Sequence, residues 1–336
     1  MTLLKLTAGA LTRCRFALSP LAETIGALIT LQRRHILPGH EAWHARYLAD
    51  YEHWLARDPV AAGLLPLIAA TKRFPDLVAQ PPRDGSGTRI SDELSSVAAH
   101  SDAQVRAMVA ASLEASWQPQ RTGWLTLNGL GPRIADMLRY GWEHFIAPDW
   151  VRRRALLERD ITYRTTLVAE HGWQHAIESL RTRPVWSPED TAIRFSNQSL
   201  PDREITDDGL ILVPRTTGGG WWTCEQPPRY ALVYPARGVG TGSHRAESDA
   251  LATLLGTGRA RIVRELIQPA TTTQLAAILS ISLGTVGAHL SVLRDADIVT
   301  GTRTGKNVVY RLTDRGERLV TILATPSRAI DNRGPS

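Results

Sequence analysis

Apolar residues recur at helical spacing through most of the first 180 residues. Leu21, Ile25 and Leu28 form one such stripe, and Ser19 and Pro20 ahead of them supply an N-cap and a proline suited to a first helical turn. The same spacing predicts helices at about residues 41–57, 59–71, 91–115, 131–145, 150–160 and 165–181. We therefore predict a helical domain over residues 1–184, which would serve effector binding or dimerisation.

The pattern changes after residue 184. Short β-prone runs at 191–195, 210–214 and 230–234 alternate with glycine and proline turns, which predicts a β-rich segment and linker over 185–245. Helical spacing returns over 246–324, and the last residues, 325–336, hold few apolar side chains and are expected to be disordered. The predicted fold class is mainly α with small β regions.

Residues 271–312 carry three patterns in a fixed order. An amphipathic helix at about 274–279, with Thr272 or Thr273 as its N-cap, is followed by a turn in which Ile281 fills the gap between two helices. Ser282 then caps a second amphipathic helix, and two β-prone runs follow, at 298–303 and 307–312. Helix, turn, helix and hairpin are the parts of a winged helix-turn-helix, so this order predicts a DNA-binding domain over 246–324.

The second helix has one apolar and one sparsely substituted face. Val286, Leu290 and Leu293 recur at i, i+4 and i+7 and are expected to face inward. Small side chains on the opposite face would let the helix approach DNA closely, with hydroxyl groups able to bond phosphates or base edges and a methyl group able to touch thymine. The outward positions are Gly284, Thr285, Ala288 and Ser291, with His289 on the flank and Arg294 placed to reach a phosphate.

The predicted wing turns at Thr304, Gly305 and Lys306, and basic residues collect around it. Between residues 299 and 318 five basic side chains stand against two acidic ones, Asp314 and Glu317. A basic hairpin of this kind suits contact with the DNA backbone. Taken singly, the elements also fit a helical hairpin followed by a solvated β-hairpin, and their order is what favours DNA binding. The five basic residues are Arg303, Lys306, Arg311, Arg315 and Arg318.

Composition narrows the class of protein. The formal net charge of +6 favours phosphate contact, although an arginine-rich composition fits a GC-rich genome equally well. Two distant cysteines, Cys14 and Cys224, argue against a disulfide scaffold and fit a reducing cytoplasm. No run of eighteen apolar residues occurs, and Arg13 and Arg15 interrupt the apolar N-terminus too early for an export signal. We expect a cytoplasmic protein with no membrane partner.

Residues 40–44 offer a competing function. His40, Glu41 and His44 match the H-E-x-x-H pattern, which on a helix places two imidazoles on one face for zinc with a general base beside them. Pro38 and Gly39 put His40 at the start of the helix, and no spacing singles out a third ligand. A zinc-dependent hydrolase is therefore the alternative function, and a protein-interaction scaffold is a third.

The ten tryptophans also admit two interpretations. Most would be core residues of packed helices, but several could line an apolar cavity that binds an effector. The candidates for such a cavity are Trp43, Trp54, Trp124, Trp142 and Trp173.

The stretches TTTQLAAIL, SLGTVGAHLSVLRDADIV and TGTRTGKNVVYRLTDRGERL resemble the ArsR-like winged-helix regulators of bacteria over about residues 246–322. The resemblance implies a homodimer that binds an operator and represses transcription. The segments FALSPLAETIGAL and LVYPARGVGT resemble a longer actinobacterial subgroup, in which a helical region of unknown function precedes the ArsR-like domain. The ligand cysteines and histidines of metal-sensing members have no counterpart here, so no metal, cofactor or enzymatic activity is expected.

Pattern and resemblance together define the expected interface with double-stranded operator DNA; they leave a small-molecule effector unidentified. The resemblance contributes Gly284, Thr285, Gly287, Ala288 and His289, and the wing from Arg303 to Asn307. The full predicted set is Ser282, Gly284, Thr285, Gly287, Ala288, His289, Ser291, Arg294, Arg303, Thr304, Lys306 and Asn307.

Overall fold

The chain divides into two compact units, Met1–Ser243 and His244–Ser336, and its fold class is mainly α with small β regions, as predicted. Residues 238–249, which span the end of the predicted linker and the start of the predicted DNA-binding domain, and the predicted tail, 325–336, lie outside the described residues. A computed structural model describes residues 2–36, 39–83, 85, 87–180, 185–187, 189, 191–195, 202–206, 208–217, 220–237, 250–304 and 307–324.

Helices make up most of the first unit. Ser19 caps the second helix through its Oγ, which accepts a hydrogen bond from the Ala22 backbone N–H, and Pro20 opens that helix as expected. The predicted run 91–115 is two helices, because Ser101 and Gln104 form a capping box that starts a new one. The α-helices described in this unit are α1 (Ala8–Arg13), α2 (Pro20–Arg33), α3 (Glu41–Leu55), α4 (Pro59–Ala69), α5 (Ile90–Ala98), α6 (Asp102–Glu114), α7 (Leu130–Gly141) and α8 (Trp150–Glu178).

Two four-stranded sheets complete the first unit. Their orders are β3-β4-β1-β5 and β2-β6-β8-β7. In the second sheet β2, β6 and β8 run parallel, and β7 is antiparallel to β8. The strands are β1 (Thr2–Leu6), β2 (Arg15–Phe16), β3 (Val185–Ser187), β4 (Ala192–Phe195), β5 (Arg203–Ile205), β6 (Leu210–Arg215), β7 (Trp222–Gln226) and β8 (Arg229–Pro235).

The first strands join the two parts that the sequence pattern separated at residue 184. β1 lies between β4 and β5, so that Leu4 is opposite Ile193 on one side and Arg203 on the other. β2 pairs with β6. The helical region and the β-rich segment therefore belong to one compact unit, a difference from the predicted division that arises because both N-terminal strands pair with residues about 190 positions later.

The sheet of order β2-β6-β8-β7 is covered on both faces. Ile211 and Val213 of β6 pack into the main core with the helices, whereas Leu210 and Leu212 pack into a second core with β1 and the end of α8. All six residues of β6 are buried, as expected of a central strand between two cores. The tryptophans proposed for a cavity lie in this packing: Trp54 and Trp124 are buried, Trp43 and Trp142 border the main core, and Trp173 stacks on Phe16.

A buried ion pair connects α2 and α8 at the end of β6. Arg153 donates to Glu23 Oε1 at 2.6 Å, and both side chains are almost fully excluded from solvent. The Thr216 backbone N–H donates to the other carboxylate oxygen at 2.7 Å, and the guanidinium lies 4.9 Å from the Trp43 ring. Buried charges need such partners, because removal from water costs several kcal/mol for each ion.

Glu93 of α5 has a buried carboxyl group that lies against the start of α2. It accepts hydrogen bonds from the Ser19 hydroxyl at 2.5 Å and from the Leu21 backbone N–H at 2.8 Å. Burial is the main cause that raises the pKa of Glu93 to about 7, with the neighbouring Asp92 adding to it. Its neutral form is therefore favoured by folding.

The stability of the first unit should consequently fall as pH rises between about 4.5 and 7. A carboxyl group whose pKa is raised by folding stabilises the folded state fully when the pH is below its unfolded pKa. This stabilisation is lost as the pH rises to the folded pKa, by up to about 1.4 kcal/mol per pH unit. Glu93→Gln should flatten this dependence in urea unfolding, whereas Glu114→Gln, at an exposed position of α6, should not. An unchanged pH profile in Glu93→Gln would contradict the assignment.

The second unit has its own core and a three-stranded sheet of order β10-β11-β9. Thr271, rather than Thr272 or Thr273, caps α11, because its side chain and that of Gln274 form a reciprocal capping box. The elements are α9 (Ala250–Leu255), α10 (Thr257–Glu265), β9 (Ala270–Thr271), α11 (Thr272–Leu279), α12 (Leu283–Asp295), β10 (Val299–Thr304), β11 (Asn307–Leu312) and α13 (Asp314–Ala324).

Within the described residues no single helix is long and apolar enough to cross a membrane. Only α11 and α12 taken together meet that criterion, by length and composition, and they are bent by 116° at the turn between them.

Candidate nucleic-acid interface

The turn between α11 and α12 is built by local backbone preferences. Ser280 ends α11 in the left-handed conformation, with φ 55°, and Ile281 packs against the core as predicted. Ser282 Oγ accepts from the Thr285 backbone N–H at 3.1 Å and so caps α12. The bend of 116° between the helices is typical of a helix-turn-helix.

The inward face of α12 is the predicted one. Val286, Leu290 and Leu293 are 0%, 2% and 1% exposed and pack with α10, α11 and β10. This burial fixes the orientation of α12, so the opposite side of the helix must face away from the core. Five predicted DNA-facing residues lie on that exposed side or its edges: Gly284, Thr285, Gly287, Ala288 and Ser291. Ser282 and Arg294, at its two ends, are also exposed.

His289 has a more buried position than the other predicted contacts. A methyl group built on Gly258 would lie 2.7 Å from His289 Nε2, so the imidazole lies against the first turn of α10. The residue is half-buried, and its ring helps to join α12 to α10. The glycine at position 258 is what leaves room for it.

Two exposed apolar residues of α12 were missed by the sequence analysis. Leu283 and Val292 are 54% and 47% exposed. Val292 follows Ala288 by four positions and Thr285 by seven, so the three side chains form one stripe along the helix. The spacing was readable in the sequence, but an apolar residue in a helix is usually assigned to the core.

The wing is an antiparallel hairpin supported by a third strand. Arg303 lies opposite Val308 and Thr304 opposite Asn307, and β9 pairs with the other edge of β11. Arg303, Thr304 and Asn307 are exposed. Lys306, the remaining predicted wing residue, lies with Gly305 outside the described residues.

The chain matches a family model described as a helix-turn-helix domain over residues 259–302, from α10 into β10. No curated protein matches the chain, and no solved structure does. The match and the geometry agree: the C-terminal unit is a winged helix-turn-helix domain of the kind found in DNA-binding transcriptional regulators.

The competing zinc site has little structural basis. His40 precedes α3 as its N-cap, and Glu41 is exposed at the first helical position. His44 is buried in α3, with Nε2 enclosed by protein. Across the described ranges, no three His, Cys, Asp or Glu side chains are grouped as metal ligands. Two histidines without a third ligand do not make a catalytic zinc site of the usual kind.

Proposed function

We propose that this protein is a transcriptional regulator that inserts α12 into the major groove of duplex DNA and grips the flanking backbone with its wing. The observation that carries the proposal is the exposed, small-residue face of α12 next to an exposed wing bearing Arg303. A helix with small outward side chains can approach base edges closely. The helix-turn-helix match supports this function, and a regulator that binds DNA would act in the cytoplasm.

The resemblance to ArsR-like regulators extends the proposal to a homodimeric repressor. Leu254 of α9 and Ile322 of α13 are 61% and 68% exposed, and these two helices pack against each other. Exposed apolar side chains on adjacent terminal helices are suited to burial against a second copy. The first unit would then receive the signal, from an effector of unknown chemistry, that shifts DNA affinity between two states.

The test is binding of the full chain to duplex DNA from upstream of its own gene at several salt concentrations. Arg303→Ala should weaken binding to every duplex and reduce the slope of log affinity against log salt by about 1, because one phosphate contact is lost. Thr285→Val exchanges a hydroxyl for a methyl group on the outward face of α12 and removes no positive charge, so it should change sequence preference and leave the slope unaltered. Lys306→Ala provides a second wing variant.

Two outcomes would contradict the proposal. Equal salt slopes for the wild-type protein and both wing variants would remove the wing from the interface. Failure of the wild-type protein to bind any duplex at low salt would remove the function itself. Sedimentation of the same samples reports the oligomeric state, and a monomer on DNA would contradict the homodimer.

A further inference from the structure

The exposed face of α12 offers few groups that can distinguish bases by hydrogen bonding. The helix contains no Arg, Lys, Asn or Gln before Arg294 near its end. Its central polar groups are the hydroxyls of Thr285 and Ser291, and that of Thr285 already shares a hydrogen bond of 2.8 Å with Ser282 Oγ. A hydroxyl both donates and accepts, so it fits every base edge and discriminates weakly among them.

The same face is well supplied with exposed carbon. Ala288 is exposed, Val292 is 47% exposed, and the methyl group of Thr285 belongs to the same stripe. The free energy falls when another apolar group covers aliphatic groups that were exposed to water on a binding surface. In the major groove thymine alone among the four bases presents a methyl group.

We propose that α12 selects its operator by thymine methyl groups, which Ala288 and Val292 contact directly. This inference rests on the proposed function and names the class of DNA that the site prefers: half-sites with thymines at neighbouring positions of the major groove. The hydroxyls of Thr285 and Ser291 then position the helix, while the methyl contacts supply the discrimination. Replacing thymine by deoxyuridine removes only the methyl group and preserves base pairing, so it isolates the proposed contact.

The experiment uses the full chain and a DNA duplex that is first selected, from a pool of randomised sequences, by its binding to the protein. Affinity is measured by fluorescence anisotropy for the thymine duplex and for duplexes with deoxyuridine at single positions. Each contacted methyl should contribute about fourfold in affinity, and two together roughly sixteenfold. In Val292→Ala the penalty at one thymine should shrink to less than about twofold, because its partner is gone. Ile267→Ala, at a comparably exposed aliphatic position just beyond the end of α10, is the matched control and should keep the full penalty.

The outcomes separate this inference from the function on which it rests. A wild-type protein that binds no duplex overturns the proposed function. A protein that binds DNA but enriches no sequence, or binds thymine and deoxyuridine duplexes equally, leaves DNA binding intact and overturns the thymine readout. A Val292→Ala variant that changes sedimentation while keeping the full penalty would assign Val292 to a protein interface and overturn its role here.

Discussion

Duplex binding is expected to fall by at least about a hundredfold when Ala288 is replaced by glutamate, since a like charge placed against phosphates costs several kcal/mol and 1.4 kcal/mol is tenfold in affinity. Ala288 lies at the centre of the exposed face of α12, and within that helix the arginine, Arg294, is in the last turn. The fold should be unaffected, because the position is exposed and glutamate is a good helix former. Anisotropy measurements on the full chain provide the affinity, and circular dichroism checks the fold.

Ala288→Gln is the matched control for this prediction. Glutamine has the size and shape of glutamate without its charge, so it separates steric exclusion from electrostatic repulsion. We expect Ala288→Gln to bind duplexes far more tightly than Ala288→Glu. Unchanged binding in the glutamate variant would show that this face of α12 does not meet DNA.

The second large effect concerns stability. Arg153→Met should lower the free energy of unfolding of the N-terminal unit by about 3–5 kcal/mol, the usual cost of removing one partner of a buried ion pair. Glu23 is fully buried and would keep the hydrogen bond from the Thr216 backbone N–H, with the buried Arg215 as its remaining charged neighbour. The carboxylate must then keep its charge in the protein interior without a guanidinium bonded directly to it, or take up a proton on folding.

Two further variants make the prediction specific. Combining Arg153→Met with Glu23→Gln should recover much of the loss, because neither charge remains buried alone. Arg154→Met is the matched control: its arginine is adjacent on α8, half-exposed and paired with Glu158, so it should cost less than about 1 kcal/mol. Similar losses for Arg153→Met and Arg154→Met would refute the structural role of the pair.

Urea unfolding followed by tryptophan fluorescence is the appropriate measurement. All ten tryptophans precede residue 243, so their emission reports on the N-terminal unit alone. The second unit contains none, and its unfolding does not enter the signal. The free energies then refer to one cooperative unit, as two-state treatment requires.

The elements that could be predicted from the sequence are those whose structure is determined by nearby residues. The cap at Ser282 and the inward stripe of Val286, Leu290 and Leu293 depend only on residues within two helical turns. The α11 cap was misplaced because three consecutive threonines can each cap a helix. The choice of Thr271 follows from its reciprocal hydrogen bonds with Gln274 and from its place in β9, where it pairs with Val309 of β11.

The features that could not be predicted are those that depend on residues far away in the sequence. A short leucine-rich segment such as Thr2–Leu6 fits a helix or a strand equally well. Its pairing with β4 and β5 is what makes it a strand. The contact of the His289 ring with Gly258 of α10 joins residues 31 positions apart, so the pattern of α12 alone does not reveal it. Charged residues are expected at the surface, so the burial of Arg153 became apparent only with Glu23 opposite it.

The position of β1 within its sheet has a consequence for synthesis of the chain. A ribosome releases residues 2–6 long before their partners at 192–195 and 203–205. Leu4 and Leu6 therefore stay unprotected until about 200 further residues have been synthesised. Pairing across such a separation closes slowly and exposes apolar surface meanwhile. A fragment ending near residue 184 would lack these partners altogether and would leave the apolar side chains of β1 exposed.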